Sequence, residues 1–530
     1  MSSQETGSVE QRIEQLERAN SLGLLTTGLK GLEKESLRID RTGRISTTPH
    51  PRALGAALTH PHITTDYSEA LIELVTPPFA EAAETLDFLN DLHQFVYRHI
   101  GDELLLSTSM PPRIDGEASI PIARYGSSNI GRMKHVYRQG LAHRYGRPMQ
   151  AIAGVHFNYS VDEAFWPIYR DLLGAPQALG AFVSDRYFGM IRNVHRYGWL
   201  LLYLFGCSPA LCKSFFAGRE DDLASRFSEL DSATWYRPYA TTLRMSDIGY
   251  KNDSQSEVAI CFDDLPAYVE SLSRAIDTPF EPYQRIGVKV DGEYRQLNAN
   301  LLQIENEYYS PIRPKQVTKS GEKPTLALQK RGVRYLELRS IDLNCFEPAG
   351  VSLAQLHFLE LFMVFCLLTD SPLLAAEERA ETSQNALAVA CCGRTPDFGL
   401  MQHGQRRSLP DWATGILDGM ESIARVLDGT LGMPRYLPTI AEARLAVEDS
   451  SRTPSAVQLE ELRGSGRSFA AFAVAESQRH AEYFRTRALT SDRTMSLARL
   501  AEESLQRQRQ IEAADRLSFD EFLTRYFGQS

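Results

Sequence analysis

The chain has 530 residues, 43% of them hydrophobic and 23% charged, a balance that fits a folded globular protein and excludes collagen-like, mucin-like and tail-like sequences. Its 57 Lys and Arg stand against 67 Asp and Glu, and the net charge of -10 argues against nucleic-acid binding by a broad basic face, while a local cationic pocket for a small anion stays open. Seven cysteines without CxxC spacing fit reduced thiols better than a disulfide framework.

The opening MSSQETGSVEQRIEQLERANS lacks the basic and apolar regions of a signal peptide, so a cytoplasmic location is expected. VEQRIEQLERANSLGLL reads as an amphipathic helix with Ile13 and Leu16 on one face. From Gly31 the run GLEKESLRID turns to alternation, which predicts a strand whose Glu33, Glu35, Leu37 and Ile39 share a face. AEAAETLDFLNDLHQFVYRHIGD returns to helical spacing through Leu86, Leu89, Leu92 and Val96. The stretch MPPRIDGEASIPIARYGSSNIGRMKHVYRQGLAHRYG is rich in turn formers and reads as loop.

AIAGVHFNYSV alternates again, placing Gly154, His156, Asn158 and Ser160 on one face and Val155, Phe157 and Tyr159 on the other. GWLLLYLFGCSPALC and FLELFMVFCLLTD are the most apolar runs, but both fall short of the roughly 20 residues that span a bilayer and read as buried helices. LNANLLQIENEYYSPIRPK reads as a further strand with Gln303, Glu305 and Glu307 aligned, and GVRYLELRSID as another with Tyr335, Glu337, Arg339 and Ile341 on one side. Strands dispersed among helical and irregular stretches, without regular βαβ units, predict an antiparallel α+β layout. Beyond about residue 380 the text becomes Ala-, Leu-, Arg- and Glu-rich and helical, with no long flexible linker before it.

The chain carries no GxxxxGK[ST], no GxGxxG after a strand, no HExxH and no GxSxG. Its informative feature is acids within apolar strand text: Glu33, Glu35, Glu73, Glu305, Glu307 and Glu337. A carboxylate buried without a partner costs several kcal/mol, so each truly buried one needs a cation. A solvated strand face, pairing with arginines such as Arg339, and a cluster of oxygen ligands around Mg²⁺ or Mn²⁺ all remain open on the residues alone. His156 beside Asn158 fits either a hydrogen-bonded structural histidine or a group at a metal-bound substrate. Arg244, in TTLRMSDIGYKN, offers a planar fork for a carboxylate, and Arg313 and Lys315, with Lys319 and Lys323 behind them, offer charge for phosphate. Tyr137, Tyr250, Tyr308 and Tyr309 sit in polar, Gly- or Pro-rich text and are packing or pocket residues. The residues point to an ATP enzyme without a P-loop, dependent on magnesium and acting on a small acidic substrate.

The runs GLEKESLRI, ALTHPHITTDYSEALIELVTP, YGSSNIGRMKHVYRQGL, GVHFNYS, YLFGCSPA, LRMSDIGY, QIENEYYSPIRPK and YLELRSIDLN, in this order from about residue 20 to 380, resemble the glutamate–cysteine ligase family of the gamma-proteobacterial type. The resemblance implies an antiparallel six-stranded sheet curved into a funnel, similar to the catalytic fold of glutamine synthetase, in a catalytic region 1–380 with a mainly helical region 381–530 packed on it. It implies ATP-dependent ligation of the L-glutamate gamma-carboxylate to the L-cysteine amine, through a gamma-glutamyl phosphate, as the first step of glutathione synthesis. By the same likeness Glu33, Glu35, Asp66, Glu73, His156 and Glu337 hold or surround magnesium, with manganese as a substitute. Glu337 and Arg339 serve the transferring phosphoryl group, Arg244 grips glutamate, and Tyr137, Tyr250 and Tyr309 line the cysteine pocket with Arg138 and Asn158 as neighbours. Arg313 and Lys315 are the expected nucleotide contacts, a monomer is the expected state, and neither membrane nor nucleic acid is an expected partner. A ligase using another amine, a guanido-type kinase and a non-catalytic interaction protein are the competing classes.

Overall fold

Seven strands make the main sheet: β1 (Leu29–Ile39), β2 (Ile63–Thr65), β3 (Leu71–Val75), β4 (Leu104–Leu105), β5 (Gly154–Ser160), β6 (Ile312–Lys315) and β7 (Tyr335–Asp342). This is a computed structural model, and it describes residues 9–217, 224–249 and 258–529. The strand order is β6-β7-β5-β1-β3-β2, every pair antiparallel, with β4 paired to the end of β1. The six strands expected are thus joined by a short seventh, and the chain is α+β with a curved antiparallel sheet and a long helical C-terminal region.

The helices that position the site are α1 (Val9–Arg18), α2 (Ala82–Tyr97), α3 (Asn129–Tyr145), α4 (Trp199–Phe205), α5 (Leu353–Leu368), α6 (Ala376–Cys392), α7 (Ser491–Ala514) and α8 (Phe519–Phe527). The period of two assigns the faces of the central strands. Leu32, Phe157, Leu336 and Leu338 are buried toward the helical layer, in one apolar cluster that runs from Ile13 to Leu497. Both apolar runs are helices as expected: α4 is buried along nearly its whole length, and α5 lies under the sheet against α2 and β5. No helix among the described residues is long and apolar enough to cross a membrane. Helix α6 passes through residue 380 without a break.

Two sequence expectations fail. The stretch taken for loop contains α3, capped by Ser128, whose hydroxyl accepts the Gly131 N–H at 3.3 Å. The strand expected across Gln303, Glu305 and Glu307 is a single 3-10 turn, Glu305–Glu307, and only Ile312–Lys315 is extended. Both acids are buried and satisfied locally: Glu307 accepts from the Gln303 N–H at 2.7 Å and from Arg144 and the Tyr145 hydroxyl at 2.8 Å, and Glu305 from the Thr325 hydroxyl at 2.6 Å. These pairings satisfy the carboxylates better than a strand face could, so alternation loses to them.

Candidate active site

Register sets the site. Across β1 and β5, Glu33 lies opposite His156; across β1 and β3, Glu35 lies opposite Glu73; across β5 and β7, Asn158 lies opposite Glu337. Facing carboxylates such as Glu35 and Glu73 repel unless positive charge is placed between them. His156 Nδ1 is 3.2 Å from Glu33 Oε2, and Asn158 donates to Glu33 Oε1 at 2.9 Å. Glu35 accepts the Gly154 N–H at 2.8 Å. Glu337 lies 3.2 Å from Lys315 Nζ and 3.2 Å from the Arg339 guanidinium.

The acids divide by how much cation each reaches. Burial opposes the charge on Glu337, but Lys315, Arg339, His156 and Arg313 outweigh it and hold the carboxyl well below the usual range. Burial and the Glu337 charge also oppose Glu33, yet the hydrogen bond from His156 and the fields of Lys315 and His156 keep it low. Burial pushes Glu35 up. Glu73 is driven well above the usual range by burial, then by repulsion from Glu33, Asp66, Glu35 and Glu337. The cluster therefore has more carboxylate than its own cations can compensate.

A divalent cation fits that deficit. Glu33, His156 and Glu337 each offer one ligand atom, all within 4.8 Å of one another. His156 Nε2 and Asn158 Oδ1 are buried without a hydrogen-bond partner, and oxygen-rich sets of this kind suit Mg²⁺ or Mn²⁺.

The acids open into a cavity of about 660 Å³. It is lined by Glu33, Glu35, Asp66, Glu73, Tyr137, Arg138, His156, Tyr309, Arg313, Lys315, Glu337 and Arg339, so most of the residues expected from the sequence meet in one place. Arg138 lies 3.8 Å from Asp66 and its guanidinium sits over the Tyr125 ring, 4.7 Å from the centroid. The Tyr309 hydroxyl accepts from Gln150 at 2.7 Å. Arg313 donates to the carbonyls of Asn306, at 3.0 Å, and Tyr308, so its guanidinium braces the turn before β6 as well as facing the cavity.

Three expected residues stand apart. Asn158 is not among the lining residues and reaches the site through Glu33. Arg244 is fully buried and is not among the lining residues, donating to the Arg339 carbonyl at 2.7 Å and lying 3.8 Å from Asp342. A Cβ at Gly154 would fall 2.3 to 2.7 Å from the Arg244 guanidinium atoms, so the missing side chain is what lets Arg244 lie under the strand. Tyr250 lies outside the described residues.

Lys319, expected as charge for phosphate, lines the cavity, whereas sequence reasoning missed its loop neighbours Thr318, Ser320, Gly321 and Glu322, together with Lys134, Gln150, and Arg507, Ile511 and Tyr526 of α7 and α8. One signal was present: Lys134, Tyr137, Arg138 and Leu141 recur at helical spacing, and all four face the cavity from α3.

An acid cluster short of positive charge, flanked by Lys315 and Arg339 on an antiparallel sheet above a deep cavity, is the kind of site that ATP-dependent ligases use to hold phosphates against a carboxylate substrate. Residues 13–389 match the family model described as glutamate-cysteine ligase. The glutamate–cysteine ligase of Alcanivorax borkumensis is 49% identical over 524 residues, covering 98% of this chain and 99% of the relative. That of Pseudomonas aeruginosa is 47% identical, covering 97% of each. Among solved structures, the glutamate–cysteine ligase of Francisella tularensis in complex with AMP superposes with a TM-score of 0.88 at 37% identity, covering 94% of this chain and 97% of that one. A bifunctional glutathione synthetase from Pasteurella multocida gives 0.71 at 25% identity, covering 92% of this chain and 57% of that one. This chain belongs to the glutamate–cysteine ligase family.

Proposed function

We propose that the chain joins the gamma-carboxylate of L-glutamate to the amine of L-cysteine at the expense of ATP, releasing gamma-glutamylcysteine, ADP and phosphate. This is the first step of glutathione synthesis. The observation that carries the reading is the register that brings Glu33, His156 and Glu337 together beside Lys315 and Arg339, in a chain that matches this family along nearly its whole length.

A carboxylate is a poor acyl donor because oxide is a poor leaving group. One gamma-carboxylate oxygen of glutamate therefore attacks the gamma-phosphorus of ATP, and ADP leaves. The cysteine amine attacks the resulting acyl carbon, loses a proton, and expels phosphate that carries the former carboxylate oxygen. Glu33, Glu35, Asp66, Glu73, His156 and Glu337 are the residues that would hold magnesium, which supplies charge neutralisation for the phosphates when bound. Manganese suits the same oxygen-rich set.

Arg339 and Lys315 present fixed positive charge at the mouth of the cluster, where phosphoryl oxygens gather negative charge. Tyr137 and Tyr309 wall the cavity with rings and exclude water that would hydrolyse an acyl phosphate. They are assigned to cysteine, with Tyr250 and Arg138 beside them. Arg244 is assigned to glutamate by the resemblance; in this structure its guanidinium is buried against Gly154. The Francisella tularensis relative is in complex with AMP, which supports nucleotide binding by this chain; ATP is assigned to this cavity, with Arg313 and Lys315 on its phosphate side. A funnel of the glutamine-synthetase kind, a monomeric state and a cytoplasmic location complete the reading.

The test is ADP release with glutamate and a panel of amines. Release that needs both glutamate and cysteine, and falls with bulkier amines, is expected. Release with glutamate alone at the full rate, or equal rates for unrelated amines, contradicts it.

A further inference from the structure

The loop 316–323 leaves β6 directly after Lys315 and contributes Thr318, Lys319, Ser320, Gly321 and Glu322 to the cavity wall. It is braced from two sides. On one, Arg331 donates to the Val317 carbonyl at 2.8 Å and to Glu322 at 2.7 and 2.9 Å, while Glu322 accepts the Lys319 N–H at 2.9 Å. On the other, the brace comes from some 200 residues away. Gln529 Nε2 donates to the Gly321 carbonyl at 2.7 Å, and its Oε1 accepts the Lys323 N–H at 3.2 Å. Lys323 Nζ donates to the carbonyls of Phe527 at 2.8 Å and Gln529 at 3.2 Å. The side-chain amide of Gln529 thus reads the loop backbone with both its donor and its acceptor, as a neighbouring strand would.

What holds Gln529 there is α8. Phe519, Leu523 and Tyr526 pack with Met133 and Val136 of α3 and with Leu297 and Ile304 in an apolar cluster separate from the main core. Ser518 and Glu521 close the helix start with a capping box. The same α3 carries Lys134, Tyr137 and Arg138 into the cavity, and Tyr526 reaches the cavity wall itself. One small core therefore sets the relative positions of α3 and the loop.

We propose that α8 and Gln529 clasp the loop Thr318–Glu322 against the phosphate end of the nucleotide, with Gln529 a positioning residue for ATP. The inference rests on the reading that ATP binds in this cavity. The phosphate end is the one at stake because the loop emerges next to Lys315, whose ammonium lies 3.2 Å from Glu337 in the acid cluster. Lys319 and Ser320 line the same cavity as those acids, so they would face phosphates held there. The proposed function assigns the amino acids to Tyr137, Tyr309 and Arg244, none of them in the loop, so on that reading loosening the loop acts on nucleotide first.

The test uses the full chain and the variants Gln529→Ala and Gln529→Met, the second keeping length without hydrogen-bonding capacity. ADP binding with magnesium is measured by calorimetry in the absence of amino acids, alongside the KM values of all three substrates and the thermal midpoint. Losing the two backbone contacts should weaken ADP and raise the KM for ATP about five-fold in both variants. The KM values for glutamate and cysteine should stay within about two-fold, and the thermal midpoint should not move. Leu523→Ala, which loosens the docking of α8, should shift nucleotide affinity in the same direction. Wild-type ADP affinity in both Gln529 variants overturns the clasp while leaving the ligase reading intact, and so does an equal rise in all three constants. A wild-type protein that binds no nucleotide overturns both.

Discussion

At the scale of single residues, the site is a problem in charge. Glu337 is the most strongly cation-paired acid of the cluster, between Lys315 and Arg339, and it faces Asn158 across the strands. Glu337→Gln keeps the shape and removes one formal charge from the oxygen set. Turnover should then fall by at least about 100-fold, roughly 2.7 kcal/mol of transition-state stabilisation, across a magnesium titration. Near-normal turnover at low magnesium would remove Glu337 from the metal site. Glu33, Glu35, His156 and Glu337 were legible because strand alternation puts them on one face, and that face is the cavity. The pairing of Arg313 with two carbonyls and the burial of Arg244 under Gly154 were not, because both depend on which backbone passes nearby and not on spacing along the chain.

At the scale of elements, the sheet is held to its helical layer by a pair that has no role in the cavity. Lys30 of β1 donates to Glu360 of α5 at 2.5 Å, and both side chains are fully buried. Burial raises the Glu360 carboxyl above its ordinary range, with Lys30 pulling the other way. Glu360→Ala leaves the ammonium in an apolar layer and should cost about 3 to 5 kcal/mol, read as a shift in the denaturation midpoint. The double change Lys30→Met with Glu360→Met removes both charges and should recover most of that loss. A double variant as unstable as Glu360→Ala would show that the pair is worth more than the apolar contacts replacing it. The strands around Glu33, His156 and Glu337 could be read directly, since each alternates over five or more residues. Helix α3 was hidden by its glycines and charges, and the false strand at Gln303–Glu307 arises from an alternation whose acids pair instead with Arg144, Tyr145 and Thr325, partners distant in the chain.

At the scale of the whole molecule, the cavity is assembled from parts far apart in the chain: the sheet supplies the acids, α3 the aromatic and cationic wall, and α7 and α8 the far side. The helical character of the C-terminal region was legible in its composition. Its place at the cavity was not, because nothing in the spacing of Arg507, Ile511 or Tyr526 distinguishes a residue facing a substrate from one facing water. On the proposed reading the whole arrangement serves one chemical end, moving an oxygen from the glutamate gamma-carboxylate onto phosphorus before the amine attacks. Glutamate labelled with ¹⁸O in the gamma-carboxylate follows that oxygen directly when it is incubated with ATP, magnesium and cysteine. One labelled oxygen per turnover in the released phosphate, with the other kept in the new amide, is the expected result. Unlabelled phosphate accompanying full product formation would contradict the acyl-phosphate route and the assignment of the acid cluster built on it.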